Sequence, residues 1–216
     1  MLSIYQLKSR FQSLLRPYAN KIYHADITAN QVTIAACIGS IFVSLIVGLL
    51  AQYQWVFYLI PLWMFIRMAL NAIDGMLARE FNQKSNLGAY LNEICDVISD
   101  CALIAVFTQV ATVSYSLVMF VVLLSFLTEY SGVLGLMIGA TRRYDGPMGK
   151  SDRAFVFSVI SLGIASYLLP LDWINPLLWL ISALLIYTIV NRIKKGLNES
   201  KELRISLCDN NKKNLL

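Results

Sequence analysis

Six apolar runs constrain this chain more than any other feature. They cover residues 32–50, 55–78, 87–111, 113–140, 154–169 and 173–190. A bilayer core is crossed by about 20 apolar residues in helical form, because the backbone must satisfy its own polar groups where no water is present. The predicted fold class is therefore an all-α integral membrane protein with six transmembrane helices, the fifth being the shortest. Composition agrees: 57% of the 216 residues are hydrophobic and 14% are charged, with a mean hydropathy of +0.61. That balance excludes an ordinary soluble domain.

Ahead of the first run, Ile4, Leu7, Phe11, Leu14 and Tyr18 recur at steps of three and four, while Lys8, Arg10, Gln12 and Arg16 fall mostly elsewhere around the helix. This pattern predicts an amphipathic interfacial helix within residues 1–30, bent at Pro17. No secretory signal is expected, since a compact apolar core with a small-residue cleavage site is missing from this stretch. Residues 31–193 form the predicted membrane domain. Residues 194–216 are a charged cytoplasmic tail, read as a helix extension that frays. Cys37, Cys95, Cys101 and Cys208 lack metal-ligand spacing and are read as packing residues, and His24 as an interfacial one.

The 18 lysines and arginines are distributed unevenly. Four precede the first run, Arg79 and Lys84 flank the second connection, and Arg142, Arg143, Lys150 and Arg153 occupy the fourth. The remainder follow the sixth run from Arg192 onward, apart from Arg67, and the connections near Gln52, Thr112 and Asp172 contain none. By the positive-inside rule, both termini and the second and fourth connections face the cytoplasm. The expected location is a bacterial inner membrane, and the net charge of +5 suits its anionic lipid surface.

Acids and amides gather at the cytoplasmic ends of the second and third helices, in NAIDGMLAREFNQKSNLGAYLNEICDVISD, residues 71–100. Helical spacing puts Arg67, Asn71, Asp74 and Ala78 on one face of the second. It puts Asn92, Asp96 and Asp100 on one face of the third, with Glu93 beside them. A carboxylate at the centre of a membrane helix costs ~2.5–3.5 kcal/mol on insertion scales, so several together imply compensation by a cation, water or a partner. Oxygen donors favour a hard cation such as Mg2+ or Mn2+. Arg67 and Glu129 also admit a reading as buried charges that hold helices together.

These residues resemble the CDP-alcohol phosphatidyltransferase family, whose signature is D-x2-D-G-x2-A-R-x8-G-x3-D-x3-D. Asp74, Gly75, Ala78, Arg79, Gly88 and Asp96 match it at the required spacing. The segment TANQVT, residues 28–33, is similar to the Pro-Asn-x-x-Thr that often precedes the family's first span. Asn71 and Asn92 stand where the family has its first and third aspartates, which removes two negative charges from the implied metal site. Glu93 could restore one carboxylate.

The resemblance implies metal-dependent transfer of a substituted phosphoryl group from a CDP-alcohol, such as CDP-diacylglycerol, to an acceptor alcohol, with release of CMP, in phospholipid biosynthesis. It implies Asp74 and Asp96 as ligands of Mg2+ or Mn2+, with Asn71, Asn92 and Glu93 as further ligand positions. Asp96 is the implied general base, and Asp74, Gly75, Ala78, Arg79 and Gly88 surround the nucleotide. Lys150, Arg153 and Arg143 are candidates for an acceptor or lipid phosphate. Membrane lipids are expected partners, nucleic acid is not, and Gly135 with Gly139 would permit a homodimer. The alternative is an inactive family member that binds nucleotide or lipid as a scaffold or sensor.

Overall fold

The computed structural model describes residues 4–213, with side chains from 11 to 205. Seven α-helices carry the fold: α1 Ile4–His24, α2 Ala29–Leu49, α3 Leu59–Glu80, α4 Asn86–Ala105, α5 Tyr115–Leu134, α6 Lys150–Ala165 and α7 Ile174–Lys213. Short 3-10 turns join them at Gln54–Tyr58, Val106–Gln109, Gly135–Ile138 and Leu171–Trp173. Among the described residues there is no strand.

Four segments are long and apolar enough to cross a membrane: Ala29–Leu49, Gln54–Glu80, Tyr115–Ile138 and Leu171–Ile205. The third and fifth predicted runs form α4 and α6, which differ from the rest. Glu93, Asp96 and Asp100 interrupt the apolar character of α4, and α6 has only 16 residues. Large apolar side chains such as Ile38, Phe42, Leu62, Phe65, Trp179 and Leu180 face outward. A surface of this kind suits lipid rather than water.

α2 packs on α3 and α4, α5 on α7 and α4, α6 on α3, and α1 on α3. At one end of the bundle an apolar core forms around Phe57, Phe107 and Phe157, whose ring centroids lie 5.8 and 5.3 Å apart in succession. The acids of α3 and α4 lie apart from this core. Two caps begin the helices that carry the motif residues: Thr28 and Gln31 form a capping box at α2, and Ser85 Oγ accepts from Gly88 N at 2.9 Å at α4.

Three expectations need correction. α1 runs through Pro17 without interruption. It buries Leu15 and Ala19 against its neighbours, while Leu14 and Tyr18 of the predicted apolar stripe stay exposed. The helix is thus two-faced, with one apolar side spent on the bundle and another left outward.

Beyond residue 194, α7 continues as helix to Lys213 rather than fraying. Thr141 donates to Glu199 through both its backbone and its hydroxyl, at 3.2 and 3.1 Å, and Ser200 Oγ donates to Ile138 O at 2.7 Å. These bonds dock the charged extension on the loop after α5. Finally, Gly135 and Gly139 do not share a helix face. Gly135 makes room for the chain's own Thr141 carbonyl, 2.9 Å from where a Cβ would lie, and Gly139 adopts φ +80 to end the 3-10 turn.

Candidate active site

The TANQVT segment serves the site through three successive contacts. Thr28 caps α2, which sets the phase of the helix. Asn30 then fills the space over Gly88: a Cβ there would stand 2.7 Å from Asn30 Oδ1, so a glycine lets α2 and α4 approach. One turn on, Thr33 Oγ1 donates to Asp74 Oδ2 at 2.7 Å, and both residues are buried. In the sequence Thr33 is marked only by the TANQVT resemblance; its bond to Asp74 depends on the packing of α2 against α3.

Asp96 faces Asp74 from α4, close enough for the two carboxylates to act on each other. Asn71 Nδ2 donates to Asp96 Oδ1 at 3.5 Å, Arg67 Nη2 reaches the same oxygen at 3.3 Å, and Lys150 Nζ pairs with Asp96 Oδ2. The predicted base is therefore held by two cations and an amide. Lys150 comes from the first turn of α6, far along the chain, and its contact with Asp96 joins a predicted acceptor residue to a predicted motif residue.

Behind Asp96 runs a buried ionic network. Arg67 Nη1 donates to Asp100 Oδ1 at 2.5 Å; Arg153 Nη2 donates to Asp100 Oδ2 at 2.7 Å and to Glu129 Oε1 at 3.0 Å. Arg142 bridges Glu93 at 2.6 Å and Glu129 at 3.2 Å. Arg192 approaches Glu129 at 3.6 Å and also donates to the carbonyls of Thr128 and Asp145. Arg153, a candidate for an acceptor or lipid phosphate, and Arg192 are each 1% exposed. Arg67 and Glu129 do hold helices together, through these partners rather than through each other.

The remaining predicted residues fall in three places. Gly75 and Arg79 lie together, since a Cβ at Gly75 would stand 3.0 Å from Arg79 Nη2. Arg79 is exposed and makes no ion pair among the described residues. Ala78 is half-buried on α3, and Asn92 is half-buried one turn before Asp96. Glu93 is engaged by Arg142.

Arg143 turns away from Asp96. It binds Asp145 at 2.7 Å and Glu199 at 2.5 Å, where the loop meets α7. Lys195 donates to Asp145 at 2.7 Å. That hydrogen bond, assisted by Arg143, holds the Asp145 carboxyl below the ordinary aspartate range against the opposing effect of burial.

A divalent cation fits the donors present at the motif. Asp74 and Asp96, with an amide oxygen from Asn71, make an oxygen-only set of the kind Mg2+ and Mn2+ prefer. Among the described residues no three histidine, cysteine or acidic side chains form a metal cage. An ion held by one or two carboxylates and completed by substrate phosphate oxygens needs no such cage.

The chain is similar in sequence and fold to known proteins. Residues 26–190 match the sequence profile of the CDP-alcohol phosphatidyltransferase family. The chain is 46% identical over 203 residues to the inner membrane protein YnbA of Escherichia coli, covering 94% of this chain and 100% of that protein. It is 28% identical over 191 residues to the phosphatidylinositol phosphate synthase of Corynebacterium glutamicum, covering 84% and 83% of the two chains. Its fold resembles that of the Mycobacterium tuberculosis phosphatidylinositol phosphate synthase PgsA1 with CDP-DAG bound, with a TM-score of 0.67, 19% identity and coverage of 85% and 94%. The same enzyme in complex with manganese and citrate gives a TM-score of 0.66 at 19% identity, covering 84% and 88%.

Proposed function

The chain belongs to the CDP-alcohol phosphatidyltransferase family, and we propose that it transfers the phosphatidyl group of CDP-diacylglycerol to an acceptor hydroxyl with the help of Mg2+ or Mn2+. The observation that carries this reading is the convergence of Asp74, Asp96 and Lys150, from α3, α4 and α6, at one end of the bundle.

In the proposed step, the acceptor oxygen forms a bond to the phosphorus that bears the diacylglycerol. The bond from that phosphorus to the bridging oxygen breaks, and CMP leaves with the electron pair. Asp96 takes the hydroxyl proton. A carboxylate paired with an ammonium is a poor base, so Lys150 must leave Asp96 first; a diphosphate arriving beside it is the natural competitor for that ammonium. A divalent cation held by Asp74, Asp96 and Asn71, with Asn92 in reserve, would offset the negative charge of the diphosphate. Arg79 stands free to meet the nucleotide, Gly75 leaves room for its guanidinium, and Gly88 acts at one remove by letting α2 and α4 close up beside the motif.

α4 and α6 complete a six-span bundle in this reading. The acids of α4 are neutralised by Arg67, Arg142 and Lys150, and the buried Arg153 of α6 by Asp100 and Glu129, the condition under which charged helices tolerate lipid. The basic residues flanking the site support a cytoplasmic face for it and for both termini, by the positive-inside rule. α1 lies in the interface with Leu14 and Tyr18 toward lipid.

The test is CMP release by purified protein in lipid, with CDP-diacylglycerol, Mg2+ or Mn2+, and a panel of alcohols. Acceptor-dependent release that Asp74→Asn and Asp96→Asn each reduce more than about 100-fold supports the assignment. Metal-dependent CDP binding without release, in lipid where a related enzyme is active, overturns it.

A further inference from the structure

The charge balance of the buried network narrows the acceptor. Resting on the transferase reading above, we propose that the acceptor is an alcohol without a phosphate or other net negative charge.

Each cation of the network behind Asp96 already has a carboxylate of its own chain. Lys150 is on Asp96, and Arg67 is shared by Asp96 and Asp100. Arg153 lies between Asp100 and Glu129, Arg142 between Glu93 and Glu129, and Arg192 beside Glu129. With Asp74 included, the carboxylates equal the cations in number. Glu129 decides the matter, because it sits among three arginines that would otherwise form a ready receptor for a phosphate dianion.

A phosphorylated acceptor would have to displace Glu129 or lie beside it. Either arrangement leaves an unpaired negative charge in a buried site, the costliest state for an ionic cluster. The surface cleft of about 360 Å3 lined by Arg142, Arg143, Tyr144 and Asp145 offers no alternative. Its arginines are paired as well, with Glu93, Glu129, Asp145 and Glu199.

Hydrogen-bonding capacity remains where charge does not. The Nε atoms of Arg142 and Arg153 are buried donors without an acceptor, and a neutral hydroxyl oxygen can satisfy such a donor without disturbing the charge balance. The donor substrate is treated differently: its diphosphate meets Arg79, which has no ion pair among the described residues, a divalent cation, and the Lys150 ammonium that it draws from Asp96, whereas the arginines around Glu129 keep their carboxylates.

The experiment compares acceptors that differ only in a phosphate: glycerol against glycerol 3-phosphate, and inositol against inositol 1-phosphate. It uses purified wild-type protein in lipid with CDP-diacylglycerol and Mn2+, read by CMP release. The uncharged member of each pair is expected to be favoured in kcat/KM by at least about tenfold; a preference for the phosphorylated member overturns the proposal. In parallel, calorimetry measures binding of glycerol 3-phosphate to the wild type and to Glu129→Gln.

No binding to the wild type, with binding gained in the variant, supports Glu129 as the residue that shuts out phosphate. This holds even where no acceptor gives turnover, an outcome that counts against the transferase reading alone. Glycerol 3-phosphate binding to the wild type that is lost in Arg153→Gln overturns the proposal. Should Glu129→Gln fail to fold, the wild-type acceptor comparison decides.

Discussion

Thr33 Oγ1 donates to Asp74 Oδ2 at 2.7 Å, inside the contact between α2 and α3. The bond fixes one oxygen of the carboxylate and leaves the other free for a cation. A hydrogen bond to a charged group contributes about 1.5–3 kcal/mol, so Thr33→Val, of the same shape, is expected to weaken metal-dependent nucleotide binding by about tenfold or more. CDP binding titrated against Mn2+ checks this. Substitution by serine, which keeps the hydroxyl, should restore most of the affinity.

Arg153 is the central tie of the bundle, joining α6 to Asp100 on α4 and Glu129 on α5. Removing one partner of a buried ion pair costs about 3–5 kcal/mol, because the other charge is left uncompensated. Arg153→Met is therefore expected to lower the unfolding temperature in detergent markedly. Adding Asp100→Asn to that variant should recover part of the loss, since it removes one stranded charge; an additive effect of the two changes would contradict the coupling.

Arg79 offers the opposite case. Its guanidinium is exposed and unpaired among the described residues, so Arg79→Gln is expected to leave thermal stability unchanged. Affinity for CDP should fall by about tenfold, as for loss of one charge-assisted contact. Calorimetry with CDP on the solubilised protein separates the two effects.

The junction between the loop after α5 and the extension of α7 should be sensitive to acid. Lys195 and Arg143 hold the Asp145 carboxyl below the ordinary range, and Arg192 Nε donates to its backbone carbonyl. A depressed carboxylate stabilises the folded junction above its unfolded pKa of about 3.9, and that contribution is lost as pH falls through the lower folded value. Hydrogen exchange in residues 139–149 is expected to accelerate below about pH 4. Asp145→Asn should show faster exchange already at neutral pH, with little further change on acidification.

Much of the membrane architecture could be read from the chain because apolar length is a one-dimensional property. The runs at 32–50, 55–78, 113–140 and 173–190 correspond to the four helices able to span a bilayer. The spacing of Asp74, Gly75, Ala78, Arg79, Gly88 and Asp96 was equally accessible, since a motif divided between two adjacent helices keeps its register through a short connection. Partner choice was not accessible. Arg143 and Arg153 both belong to the basic fourth connection in the sequence, yet one binds Glu199 on the extension of α7 and the other is buried against Asp100 of α4 and Glu129 of α5.

From the sequence alone come the solvent this protein is built for, the helix periodicity and the family motif with its two asparagines, because each depends only on residue type and spacing. Tertiary structure alone decided which charges neutralise one another: Lys150 with Asp96, Arg153 with Asp100 and Glu129, and Thr33 with Asp74. The physical reason is that a buried charge is governed by what lies within a few ångströms of it, and those neighbours come from helices separated by dozens of residues along the chain.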